Sequence, residues 1–184
     1  MQLTLVRHPQ PLVAPGVCYG RTDLAVSADQ LEHTLAALNR ILPRGLPLYS
    51  SPLRRCAELA RRLSPAPVFD QRLVEMDFGA WEMQPWDAIP RTAIDAWAGD
   101  MVHYQPGGGE SVLHMATRIA AFHADLQRQL GDGGAAIIIC HAGAMRLLSA
   151  CHGGLAPAGM ALQAAQAAHQ ITYGGTLILQ HSAP

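Results

Sequence analysis

The chain has 184 residues, 49% of them apolar and 15% charged, with a formal net charge of −1. This composition excludes a disordered chain, and the near-neutral charge argues against nucleic acid or an anionic membrane as partner. No apolar run approaches the roughly 20 residues that span a bilayer, and the length suits a single domain, 1–184, with a sizeable core.

The chain opens on MQLTLVRHPQP, which lacks the basic segment and long apolar core of a secretory signal. Without one, the scattered Cys18, Cys56, Cys140 and Cys151, which form no CxxC pair, are expected to be reduced thiols in the cytoplasm. Residues 2–6 predict a short strand. A helix follows over 27–42, with Ser27 and Gln30 as a capping box and Leu31, Leu35, Leu38 and Leu42 on one face. Residues 46–50 predict a second strand. Ser51 is expected to cap the next helix with Pro52 at its first position, and Leu53, Cys56, Ala57, Ala60 and Leu63 form its inner stripe. A third strand is expected at 66–69.

The stretch 71–109 is rich in Trp, Pro and Gly and predicts no regular element. Ser111 caps a helix whose face is Val112, Met115, Ile119, Phe122, Leu126 and Leu130. AAIIIC, 135–140, reads as a central strand buried on both faces. A short helix over 143–151, stopped by Gly153 and Gly154, and a last strand, or a strand with a Gly bulge, over 171–180 complete the order. Alternating strands and helices predict a three-layer α/β/α sandwich around a mostly parallel sheet.

In such sheets the ligand binds beyond the carboxyl ends of the strands. Strand one ends in Arg7-His8. Strand two ends in Ser50-Ser51 and runs into Arg54-Arg55. The central strand ends in Cys140-His141, with Arg146 one turn later. Two of these ends also offer helix N-termini, so an anion pocket is expected, with phosphate the commonest biological occupant. Arginines beside His8 should keep its imidazole neutral and so nucleophilic, while binding the oxygens on which charge develops. An acid is still needed for the leaving oxygen. Glu75 in LVEMDFGAWE is the candidate, with Asp77 and Glu82 as alternatives.

These motifs resemble the histidine phosphatase superfamily, which includes the phosphoglycerate mutases: LVRH at 5–8, SSPLRR at 50–55, LVEMDFGAWE at 73–82 and ICHAGAMR at 139–146. The resemblance implies a phosphoglycerate mutase-like fold and a phosphohistidine on His8. It further implies Arg7 and Arg55 as phosphate ligands, Glu75 as proton donor and His141 as the second histidine. Gln10, Arg21 and Glu110 are then expected substrate contacts, with no metal and no cofactor. The family's usual Arg-His-Gly is here Arg-His-Pro-Gln-Pro. Pro9 lacks an N–H but keeps a carbonyl that could orient His8. VCYGRTDL, 17–24, is similar to the α-ribazole phosphatase branch, which implies a role in cobalamin biosynthesis. The expected partner is a small phosphorylated metabolite.

Other chemistries fit the residues less well. Cys140 to Arg146 spells C-x5-R, the spacing of cysteine phosphatases, but that reading leaves Arg7-His8 and SSPLRR unexplained. A broad-specificity phosphatase and a degenerate member that only binds a phosphorylated ligand are the alternatives within the family. No HExxH marks a metal enzyme, and no GxSxG marks a serine hydrolase. His103, His114, His123, His152 and His169 are scattered, and most are expected at the surface or in loops. Trp81, Trp86 and Trp97 have three readings: pocket wall, core or homodimer contact.

Overall fold

The computed structural model describes residues 1–166 and 171–180. His169 lies outside them. In chain order the elements are β1 (Gln2–Arg7), α1 (Ala28–Ile41), β2 (Leu48–Ser50), α2 (Arg54–Leu63), β3 (Val68–Phe69), α3 (Arg91–Gly99), α4 (Val112–Leu130), β4 (Ala135–Cys140), α5 (Ala142–His152), α6 (Pro157–Gln166) and β5 (Thr176–Gln180), with short 3₁₀ turns between β3 and α4. The strands lie in the order β3-β2-β4-β1-β5. All neighbours run parallel except β5, which is antiparallel to β1.

Strand periodicity sorts the core. Side chains alternate across a strand, so Leu3, Leu5, Ala136, Ile138 and Cys140 face the helices α4, α5 and α6. Val6, Ile137 and Ile139 point the opposite way, onto Leu35 and Leu38 of α1 and Cys56, Leu59 and Ala60 of α2. Helices therefore cover both faces, and the three-layer α/β/α expectation holds. A third cluster sits outside the sheet, where Cys18, Trp81 and Ile89 are buried against Phe78, Trp97 and Tyr104.

Several local expectations hold. Ser27 accepts from the Gln30 amide and Ser111 from the His114 amide, each at a helix start. Others are corrected. Helix α2 begins at Arg54 with Leu53 as its cap residue and no side-chain cap. Ser51 lies outside it; its hydroxyl accepts from the Leu53 amide at 3.4 Å and also meets His141, as described below. Strand β5 begins only at Thr176 because residues 172–175 form a turn in which Gly175 N–H bonds to the Thr172 carbonyl. Helices α3 and α6 were not anticipated.

Candidate active site

The carboxyl ends of β1, β2 and β4 lie side by side, since Arg7 pairs with Cys140 and Ser50 with Ile139. His8 is buried just past β1, its amide bonding to the Cys140 carbonyl at 3.1 Å. Its Nδ1 lies 2.6 Å from the Pro9 carbonyl oxygen. A carbonyl can only accept, so Nδ1 carries the proton and Nε2 keeps a lone pair. The main-chain carbonyl of residue 9 thus sets the tautomer, and the proline there keeps it. Burial lowers the His8 pKa to about 3, helped by the charges of Arg55 and Arg7 and opposed by the Pro9 bond. The sequence points to the arginines first; burial is the larger cause.

Arg55 is fully buried. Its guanidinium donates to the Gly20 carbonyl, to the Thr22 carbonyl at 2.7 Å and to His141 Nδ1 at 3.2 Å. An arginine can only donate, so His141 carries its proton on Nε2, which faces Ser51 Oγ at 2.8 Å. The His141 ring centroid stands 5.0 Å from that of His8. Burial and the charge of Arg55 hold its pKa well below the usual histidine range. It is wholly buried, beside Arg55 and His8. The Arg7 guanidinium donates to the Ile171 carbonyl and stacks 3.9 Å above the Tyr173 ring. Its buried Nε finds no hydrogen-bond partner among the described residues. Among those residues neither Arg7 nor Arg55 is within ion-pair distance of a carboxylate.

Glu75 approaches from the irregular segment after β3. Its carboxylate accepts from the Met76 amide at 3.0 Å and from the Gly143 amide, in the first turn of α5, at 2.9 Å. A Cβ at position 143 would lie 2.3 Å from Glu75 Oε1, so any larger residue there would push the Glu75 carboxylate out of this place. The two alternative acids are otherwise engaged. Asp77 pairs with Arg21 at 3.5 Å. Burial pushes the Glu82 pKa up, but the Thr22 hydroxyl and the amides of Phe78, Gly20 and Arg21 outweigh it and hold it below the ordinary value.

A cavity of about 340 Å³ opens on these groups, lined by Arg7, His8, Arg55, Glu75 and Arg146 and by Phe78, Trp86, Trp97 and Met101. The Trp86 and Trp97 rings stack at 6.2 Å with 7° between their planes. Trp81 is buried edge-on against both, so two tryptophans serve as wall and one as core.

Three expected substrate contacts lie elsewhere. Arg21 is exposed and turned toward Asp77, Gln10 lines a separate depression with Pro11 and Ser27, and Glu110 is held by Arg118. Sequence reasoning missed Tyr173, whose segment reads as strand, and Tyr19, whose hydroxyl lies 2.6 Å from that of Tyr173. His123 and His152, expected at the surface, are a buried pair at 3.2 Å. Among the described residues no group of three or more His, Cys, Asp or Glu side chains gathers as a metal site, and no helix is long and apolar enough to cross a membrane.

The cysteine alternative fails on burial. Cys140 is wholly enclosed in the core, which raises its thiol pKa well above the ordinary value. Cys140→Ser is expected to keep most of the activity while costing about 1–3 kcal/mol of stability. Steady-state kinetics and thermal denaturation check both parts, and loss of turnover in a folded variant would reinstate the thiol.

The strand-end His8 shares one cavity with Arg7 and Arg55 on a mostly parallel sheet, and the chain belongs to the histidine phosphatase superfamily (branch 1), whose profile matches residues 3–173. Members of this superfamily are phosphatases or mutases. Among solved structures it is similar to the mycobacterial glucosyl-3-phosphoglycerate phosphatase Rv2419c, with 25% identity, a TM-score of 0.75 and coverage of 88% of this chain and 83% of that one. It is also similar to TTHB049 from Thermus thermophilus, with 25% identity, a TM-score of 0.73 and coverage of 98% and 94%. A phosphoglycerate mutase from the same organism matches at 30% identity, with a TM-score of 0.66 and coverage of 86% and 90%. No curated protein matches the chain.

Proposed function

We propose that this chain hydrolyses a small phosphomonoester through a phosphohistidine on His8. The observation that carries the reading is the deprotonated Nε2 of His8 beside two guanidiniums, Arg7 and Arg55, that have no carboxylate partner among the described residues. Such a pocket favours a phosphoryl dianion, and the arginines spread the charge of the transition state. His8 Nε2 attacks phosphorus and the ester P–O bond breaks. The leaving oxygen takes a proton from the Glu75 carboxyl. Water then attacks the phosphohistidine, Glu75 accepts its proton, the P–N bond breaks and inorganic phosphate departs. The cations already present supply the charge stabilisation that a metal would bring, so no metal is invoked.

The substrate reading is a phosphate ester with a flat, weakly polar body, α-ribazole 5′-phosphate being the first candidate. The stacked Trp86–Trp97 pair and Met101 in the cavity wall support an aromatic body, and the VCYGRTDL segment supports the branch. The test is kcat/KM for α-ribazole phosphate against nucleoside monophosphates and phosphoglycerates. A preference of about tenfold, or about 1.4 kcal/mol of transition-state binding, is expected for the ribazole ester. Equal rates would leave a broad phosphatase, and rapid interconversion of phosphoglycerates would leave a mutase.

A further inference from the structure

Glu75 is carried on a stretch of chain with little regular structure of its own, after a short 3₁₀ turn over Gln71–Leu73. What fixes it comes from α4. The Arg118 guanidinium makes five hydrogen bonds, one for each of its N–H groups. Nη1 donates to the carbonyls of Arg72 at 2.6 Å and Val74 at 2.7 Å, and Nη2 to the carbonyl of Glu75 itself at 3.3 Å. The other two form a fork on Glu110, Nε to Oε1 at 2.7 Å and Nη2 to Oε2 at 2.8 Å. Glu110 is anchored in turn, its amide bonding to the Asp77 carbonyl at 2.8 Å. Both side chains are largely shielded from solvent, at 21% and 18% exposure.

We infer that Arg118, oriented by Glu110, is a positioning residue for Glu75: it holds the main chain of 72–75 so that the carboxyl sits against Gly143 and the cavity. This rests on the proton-donor reading of Glu75 above. The geometry needs a planar fork. A lysine ammonium has three donors and no plane, so it cannot hold three carbonyls and grip a carboxylate with two parallel bonds. A carboxyl displaced by a fraction of an ångström loses general acid efficiency while the substrate's phosphate still finds Arg7 and Arg55.

The experiment compares Arg118→Lys, Glu75→Gln and the double variant on an alkyl phosphate and on 4-nitrophenyl phosphate. Pre-steady-state phosphorylation rates, KM and thermal midpoints are recorded. Arg118→Lys should slow phosphorylation by the alkyl ester by about 10–100-fold, with KM changed by less than about threefold and a much smaller loss on the nitrophenyl ester, whose leaving group needs no proton. On the alkyl ester it should add little to Glu75→Gln, as expected of two residues acting through one proton transfer. Glu110→Gln, which breaks the charged fork and leaves the three carbonyl bonds, should show the same leaving-group pattern in weaker form, and it decides the matter if Arg118→Lys does not fold. Equal losses on both esters, or losses that multiply with Glu75→Gln, would assign Arg118 to stability alone. If Glu75→Gln itself showed no leaving-group dependence, the acid role of Glu75 would fall and this inference with it.

Discussion

Alanine at position 8 is expected to lower kcat/KM by about 10⁴-fold or more. Among the described residues His8 alone joins a cavity-facing Nε2 lone pair with two guanidiniums, and the other buried imidazole nearby, His141, has Nδ1 occupied by Arg55 and Nε2 by Ser51. No second nucleophile stands ready to replace it. Removing a buried, neutral ring also costs stability, so the variant must be shown folded by its thermal transition. Turnover of the wild type stopped with detergent in alkali should trap a phosphoryl adduct that is stable in alkali and labile in acid, and His8→Ala should trap none. An adduct of the opposite lability, or one surviving in His8→Ala, would move the covalent step elsewhere.

Glu75→Gln should cost about 10²–10⁴ in the phosphorylation step with a poor leaving group. The amide can keep one acceptor toward Gly143 or Met76, so the segment need not collapse. What it loses is the proton. The loss should shrink sharply with nitrophenyl phosphate in that first step, and reappear in the second, where Glu75 must take a proton from water. A burst of nitrophenolate followed by slow turnover is the expected record. Equal suppression of both esters in the burst would remove Glu75 from proton transfer.

The strongest sequence signals were those where one physical cause dominates. AAIIIC is buried on both faces, so its apolarity marks β4 as central without help from its neighbours. Ser27 and Ser111 sit just before apolar stripes and each accepts from the amide three residues on, so local capping decides their roles. Ser51 shows where this logic stops. It is followed by proline and a helix, yet besides a long local bond from the Leu53 amide its hydroxyl meets His141, 90 residues away in the chain, a partner that no local preference announces. Arg118 had the same kind of signal in weaker form. It stands three residues after Met115 and four before Phe122, on the flank of a buried stripe, where a cation calls for a partner. That partner was an irregular main chain, which no periodicity describes. The middle segment was opaque for a related reason. Its fold depends on two glycine loops meeting backbone to backbone: a Cβ at Gly107, whose φ is +60°, would lie 2.2 Å from the Phe78 carbonyl oxygen, and one at Gly79 2.3 Å from that of Gly107. Helix α3 then packs Ala93, Ile94 and Trp97 onto the aromatic cluster made by that meeting, and its sequence alone gives no reason to do so.

The contact between His8 Nδ1 and the carbonyl of residue 9 has a bearing on how this loop can vary. Every amino acid brings a carbonyl, so no substitution at position 9 can delete the acceptor; it can only re-aim it. The choice of tautomer is therefore written into the path of the main chain and not into the identity of a side chain. A proline is acceptable there because the one thing it lacks, an N–H, is not the thing the histidine uses. The ring at position 8 is thus shielded from most single substitutions in its immediate neighbour, and drift at position 9 should leave the chemistry intact so long as the carbonyl keeps its bearing.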